Sequence, residues 1–343
     1  MPTNTTNTTN TINTTNTNYI NKLLDNLNNN TYAKLAVFPN DKLGFVAIKD
    51  IPPNTNPFVL TDNQNILYDF VQLSESDIIL LDDSIKELIK PLYDLNTSSY
   101  YIPFYGLNTM NFILYINIST DETITNLTYD ETNTDCELFG FKTIKPILKC
   151  QELIAPKFKF NIDKINLTNL TNSTNLTNRK KLVLENLSKT FCKIGPTTIP
   201  TITGSGVIAI RDIPLGTNPF INTENACYFY NSVNIRKKTI DKLNESEVKK
   251  IINDFICPDE KMKYSIPYLG FNSLNVSFFL NHSKIPNLSV VSDKCEYMGF
   301  RTNRPIRKGE ELFINYGDYA NNFEELMSFQ KPTYTCEFMK LKK

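Results

Sequence analysis

Histidine occurs once in the 343 residues of the chain, at His282 within LNHSKIPN (280–287). Asn281 stands beside the imidazole, and its amide offers both donors and an acceptor to one place. Gly204, Ser205 and Gly206 begin the stretch GSGVIA, where missing Cβ atoms let backbone amides and carbonyls approach a ligand closely. Tyr316 is the next-to-last residue of IRKGEELFINYG (306–317), and it supplies a hydroxyl on a ring that can wall a channel. Together these residue types suit the gripping and orienting of a polar ligand.

Segments so far apart need a framework that brings them together, and an internal repeat supplies one. LGFVAIKDIPPNTNPF (43–58) matches SGVIAIRDIPLGTNPF (205–220) without a gap. IPFYGLNTMNFILYINIS (102–119) parallels IPYLGFNSLNVSFFLNHS (266–283), and CELFGFKTIKPILKCQELI (136–154) parallels CEYMGFRTNRPIRKGEELF (295–313). Three matched blocks in one order predict a duplicated domain. The blocks are short, rich in β-branched and aromatic residues, and bounded by Gly, Pro and Asn, so they read as strands and turns. Between the first two blocks, residues 74–92 and 237–255 repeat apolar residues at three and four positions, which predicts a helical insert in each copy. A closing helix is expected over 321–331. The expected class is mainly β with helical inserts (α+β).

Composition excludes several functions. Lys plus Arg and Asp plus Glu both number 36, so no global electropositive field argues for direct nucleic-acid or membrane binding. No run of about 18 apolar residues occurs, and the N-terminus has neither a basic start nor an apolar stretch, so the expected location is intracellular, cytoplasmic or nuclear. The seven cysteines are scattered with no C-x-C or C-x-x-C spacing, which predicts reduced, mostly buried thiols and no metal. The many Asn-x-Thr triplets follow from the Asn/Thr bias. Residues 1–18 and 166–178 are low-complexity Asn/Thr tracts that bury little apolar area, so neither is expected to be ordered, and the second reads as a linker. The basic clusters IRKK (235–238) and KLKK (340–343) read as solvated ends.

The second copy carries G-x-G-V-x-A, then N-H-S-x-x-P-N, then G-E-E-L-x-x-x-Y in one order, and this resembles the SET-domain family of protein lysine methyltransferases. The resemblance implies two tandem SET-like β-folds, with a knot-like C-terminal end in the second. It implies S-adenosyl-L-methionine as cofactor, contacted by Gly204, Ser205, Gly206, Asn281, His282 and Tyr316, with Tyr316 also catalytic at the methyl-transfer site. Phe279, Tyr297 and Tyr319 are candidate walls of a substrate channel. The implied partner is a protein bearing a lysine, histone or other. Methyl transfer from a sulfonium is an in-line displacement, so the amine must be held about 3 to 3.5 Å from the methyl group. A lysine of pKa ~10.4 needs roughly 4 to 5 kcal/mol to be neutral at pH 7, and a nearby sulfonium with desolvation lowers that cost.

The resemblance is good over 190–320 and weak over 32–158. In the first copy Ile118 stands for His282, Lys42 for Gly204, Cys150 for Gly309 and Lys157 for Tyr316, and no Pro-Asn follows at the proper distance. The expected layout is therefore a low-complexity tail (1–31), a degenerate SET-like domain (32–160), a linker (161–178), a SET domain (179–320) and a C-terminal helix with basic tail (321–343). An intramolecular pseudo-dimer of the copies is expected. A catalytically inactive SET-like protein-binding module is the alternative reading, and the Asn/Ile/Lys/Thr bias suits an A+T-rich source such as a large DNA virus.

Overall fold

The computed structural model describes residues 8–39, 41–61, 70–109, 112–129, 140–157, 173–200, 204–221, 223, 232–256, 258, 261–291 and 299–318. The first repeat contains β1 (Ala33–Val37), β2 (Leu43–Ala47), β3 (Phe70–Ser74), β4 (Tyr93–Asp94), β5 (Ser99–Pro103), β6 (Asn117–Ile118), β7 (Leu127–Tyr129), β8 (Phe141–Thr143) and β9 (Glu152–Ala155). The second contains β10 (Cys192–Pro196), β11 (Ser205–Ala209), β12 (Ser232–Arg236), β13 (Lys263–Pro267), β14 (Asn281–His282), β15 (Leu288–Val290), β16 (Phe300–Thr302) and β17 (Glu311–Ile314).

Each repeat has a four-stranded sheet of the same plan, β1-β2-β9-β6 in one and β10-β11-β17-β14 in the other. The first three strands of each run antiparallel and the last joins in parallel, β6 on β9 and β14 on β17. Smaller ladders match as well: β3 with β5 answers β12 with β13, and β7 with β8 answers β15 with β16. The expected strands over the matched blocks are therefore present, and β-branched and aromatic side chains fill their inner faces, with Phe45, Phe70, Val207 and Leu312 at 1% exposure or less.

The helical inserts are shorter than the periodicity suggested. In the first repeat α2 spans Asp83–Ile89 after turns over 75–80, with Asp82 capping Ser84 N at 2.8 Å, and a 3₁₀ turn continues to Leu92. In the second repeat the insert divides into α4 (Lys237–Ile240) and α5 (Ser246–Phe255). The expected closing helix over 321–331 lies outside the described residues.

Two further helices correct the reading of the low-complexity tracts. Helix α1 (Thr8–Asn30) precedes β1, and α3 (Ser173–Ser188) precedes β10, so order begins inside both Asn/Thr tracts. The cause lies just C-terminal to the biased stretches. Leu23 and Leu27 of α1, and Val183 and Leu187 of α3, are fully buried at helical spacing. Once a helix is nucleated by such packing, each added residue costs little, and it extends into sequence that would not form it alone.

The two repeats share one hydrophobic core and meet through hydrogen bonds that repeat with the roles exchanged. Thr61 N donates to Leu269 O at 3.0 Å, and Thr223 N donates to Tyr105 O at 3.1 Å. Asn272 Nδ2 donates to Val59 O at 3.0 Å, and Asn108 Nδ2 donates to Ile221 O at 2.9 Å. Helix α1 also reaches across, with Tyr19 stacked on Tyr268 at 4.0 Å between centroids.

The expectation of reduced thiols fails at Cys150, which is disulfide-bonded to a partner outside the described residues. Scatter along a sequence does not fix separation in space, and a disulfide needs only Cα atoms within roughly 7 Å. Cys192 is free and buried. Among the described residues no helix is long and apolar enough to cross a membrane.

Candidate functional site

Glu311, the first residue of β17, is 3% exposed and organises the site. A buried carboxylate is tolerable only where donors replace water. Here its oxygens accept from Asn281 Nδ2 (2.7 Å), Thr197 Oγ1 (3.0 Å), Thr198 N (2.5 Å) and Thr198 Oγ1 (2.7 Å). Asn281 Nδ2 also lies 3.0 Å from Ser205 O and 3.3 Å from Thr197 Oγ1. One amide thus ties β14 to the start of β11.

The glycine of β11 also has a packing reason. A Cβ on Gly206 would fall 2.0 Å from Glu311 Oε1, so this position is glycine because the carboxylate occupies the space. Gly204 lies in the bend before β11, and its carbonyl accepts from Thr197 N at 2.9 Å.

Parallel pairing of β14 with β17 sets Asn281 opposite Phe313 and His282 opposite Ile314. Tyr316 follows in a 3₁₀ turn, and its backbone N donates to His282 Nδ1 at 3.2 Å. The two rings lie 5.4 Å apart, tilted at 47°. The Tyr316 hydroxyl donates to Leu280 O at 2.5 Å. The asparagine that ends NHSKIPN completes the arrangement by pairing with β17 as backbone would: Asn287 Nδ2 donates to Glu311 O (2.8 Å), and its Oδ1 accepts from Phe313 N (2.7 Å).

The structure therefore brings Gly204, Ser205, Gly206, Asn281, His282 and Tyr316 together. Ser205, Asn281, His282 and Tyr316 are half-buried, as a lining reachable by a ligand must be. Phe279 is 3% exposed and packs edge-on against Phe255 at 5.1 Å, in the core. Tyr297 and Tyr319 lie outside the described residues. Sequence reading passed over Thr197 and Thr198, and gave no role to Glu311 and Asn287 although both lie in its motifs. The glutamate was visible as the one acid shared by KGEEL and KCQEL, where Glu152 matches it. Among the described residues no group of His, Cys, Asp and Glu could hold a metal ion.

The first repeat separates framework from chemistry. Asn117 Nδ2 bonds the Glu152 carboxylate as Asn281 bonds Glu311. Asn126 donates to Glu152 O (2.7 Å) and accepts from Ile154 N (2.8 Å), as Asn287 does on β17. The first repeat has no Pro-Asn at the proper distance, as its sequence reads, yet Asn126 makes the same clamp. It stands nine residues after Asn117 (126 − 117) rather than six after Asn281 (287 − 281), displaced by an insertion. What the first repeat lacks are His282 and Tyr316, replaced by Ile118 and Lys157, and Lys157 Nζ rests 5.9 Å from the Tyr93 ring.

Compared with known proteins, residues 204–317 match the family model described as SET domain. A SET domain-containing protein of Acanthamoeba polyphaga mimivirus is 38% identical over 96 residues, a match covering 25% of this chain and 37% of that relative. Among solved structures, a Plasmodium falciparum protein titled a histone methyltransferase is 20% identical over 37% of this chain and 93% of its own, with a TM-score of 0.22. A humanized mutant of the Chaetomium thermophilum Polycomb Repressive Complex 2 with an inhibitor is 20% identical over 40% of this chain and 16% of its own, with a TM-score of 0.25.

Proposed function

We propose that the second repeat, residues 179–320, transfers a methyl group from S-adenosylmethionine to a lysine of a histone or other protein. The observation that carries this reading is the meeting of Ser205, Asn281, His282 and Tyr316 at one half-buried place inside the segment matching the SET family. The donor set suits a zwitterionic cofactor. His282 Nδ1 is occupied as an acceptor, so a neutral imidazole carries its proton on Nε2 and presents a donor. The backbone around Ser205 and the amide of Asn281 would hold the same group. The bound cofactor would supply the methyl on a sulfonium.

Tyr316 would orient the amine. Its hydroxyl hydrogen points to Leu280 O, so its oxygen acts toward the site as an acceptor for an N–H. Glu311 is a positioning residue: its oxygens are taken up by Asn281, Thr197 and Thr198, and it acts through Asn281. Lysine deprotonation then needs no side-chain base, since a neighbouring sulfonium and desolvation both favour the neutral amine.

The first repeat keeps the framework without the two rings, which supports a noncatalytic partner, and the exchanged hydrogen bonds support an intramolecular pseudo-dimer. On this reading α1 and α3 belong to the domains they precede. The test is incubation of the full chain with radiolabelled S-adenosylmethionine, histones and cell extract, beside Tyr316→Phe. Protein-bound label that is lost in the variant is the expected result. Saturable cofactor binding with no labelled protein would favour the inactive binding module, and absence of cofactor binding would overturn both the cofactor assignment and the enzyme.

A further inference from the structure

Lys157 holds in the first repeat the position that Tyr316 holds in the second, and its ammonium rests 5.9 Å from the centre of the Tyr93 ring. That ring is one wall of a corner. Tyr93 and Tyr100 pair directly across β4 and β5, with ring centroids 4.8 Å apart and planes inclined at 56°. Both are half-buried, so neither is sealed in the core. Desolvation and, after it, the Glu75 carboxylate hold the Tyr100 hydroxyl above its ordinary pKa, which sets an exposed negative charge beside the same corner.

The duplicated framework does not require these residues. At the matching positions the second repeat has Ile256 for Tyr93, Lys237 for Glu75 and Tyr316 for Lys157. Tyr264, which answers Tyr100, is 4% exposed, with its hydroxyl donating to Asn253 Oδ1 at 3.0 Å. The first repeat thus has a ring and an anion where the second has an aliphatic side chain and a cation. Inclined aromatic faces with a carboxylate attract cations, and the chain's own ammonium stands at this corner. Lys157 fills it poorly, because contacts of this kind extend only to about 6 Å and a primary ammonium is compact and strongly hydrated. Methyl groups on the nitrogen displace that water and lay the cation against the rings.

We propose that the corner of Tyr93, Tyr100 and Glu75 binds the methylated ammonium of a lysine side chain on a protein partner, with Lys157 as the resident cation it displaces. The site lies wholly on the first repeat, so it stands or falls independently of turnover at Tyr316.

The test is NMR titration of the full chain with Nα-acetyl-trimethyllysine amide, beside its unmethylated counterpart and its uncharged tert-butyl isostere. Saturable binding is expected, with contacts from the N-methyl protons to the Tyr93 and Tyr100 rings, and both control compounds several-fold weaker. Tyr93→Ile, copying the second repeat, should weaken binding about two- to fivefold. Lys157→Ala removes the competing cation and should tighten it. Absence of saturable binding, equal affinity for either control, or a folded Tyr93→Ile chain that binds unchanged overturns the site. So do N-methyl contacts confined to Tyr316, an outcome that would leave the methyl-transfer reading of the second repeat intact.

Discussion

Asn281 Nδ2 and the Glu311 carboxylate meet at 2.7 Å, and Asn117 and Glu152 meet in the same way in the repeat that has no histidine. The pair is therefore part of how the sheet is built, with the parallel strand held to its neighbour by a buried amide and carboxylate. The two repeats diverge at the next residue, where the second has His282 and the first Ile118. A constellation that looks like one motif in sequence is two layers in space, one common to both repeats and one, His282 and Tyr316, private to the second.

The shared layer predicts opposite outcomes at two glycines. Gly206→Ala puts a Cβ 2.0 Å from Glu311 Oε1 and should destabilise the chain by about 1–3 kcal/mol with loss of activity. Gly309→Ala meets nothing within 4 Å and bears only the cost of its φ of 88°, about 1–2 kcal/mol, with activity retained. Thermal denaturation and methyl-transfer assays on the two variants check this. Equal activity losses would contradict it.

A second prediction concerns the join between repeats. Asn272→Leu withdraws one of two donors from Val59 O, the other being Asn26 Nδ2 at 3.1 Å, and should cost about 0.5–1.5 kcal/mol. Because one core runs through both repeats, calorimetry should show a single transition with equal calorimetric and van't Hoff enthalpies, and the variant should lower its midpoint without splitting it. Two resolved transitions in the wild type would separate the repeats.

The pH dependence of stability should carry the mark of the cluster facing Lys34. Desolvation by its surroundings is the largest influence on Asp254 and raises its pKa above the ordinary carboxylate value, with Lys34 and Lys250 opposing, and because the residue is exposed, solvent screens the effect to a small one. A raised folded value means that the native chain binds the extra proton, so this group's stabilisation is full below pH 3.8 and is lost as pH rises through the folded value. Asp254→Asn should therefore gain stability relative to wild type as pH climbs out of the acid range. Lys34 behaves in the complementary way. Burial lowers its pKa, so its contribution improves as pH approaches 10.5. Denaturant midpoints across pH for both chains check the sign, and a difference that stays flat would refute it.

The meeting of three distant segments was implied by the SET resemblance, and the order of strands in the sheets was not legible at all. The strands themselves were legible because the matched blocks carry β-branched and aromatic residues between turn residues. Helices α1 and α3 were not, since the apolar spacing of Leu23 and Leu27 is short and adjoins a tract whose composition argues against order. Asn126 escaped notice because motif spacing assumes no insertion, whereas hydrogen bonding to β9 needs only that the side chain arrive. Gly206 has a second reason that the sequence could not supply. A sequence shows that a Cβ is missing, and only the fold shows that Glu311 stands where it would be.

The private layer gives the sharpest test. His282→Ile reproduces the first repeat, deletes the acceptor for Tyr316 N and should cost about 0.5–1.5 kcal/mol in stability. If His282 merely held the backbone of Tyr316, His282→Asn, whose carbonyl oxygen can accept in its place, would restore both stability and cofactor affinity. If the imidazole also donates from Nε2 to the cofactor, the asparagine restores stability and leaves affinity weakened, because one short amide cannot reach both partners. Calorimetric titration of S-adenosylmethionine into the three chains, set beside their melting midpoints, distinguishes the two. The expected outcome is recovery of the midpoint without recovery of affinity, and joint recovery would reduce His282 to a structural support.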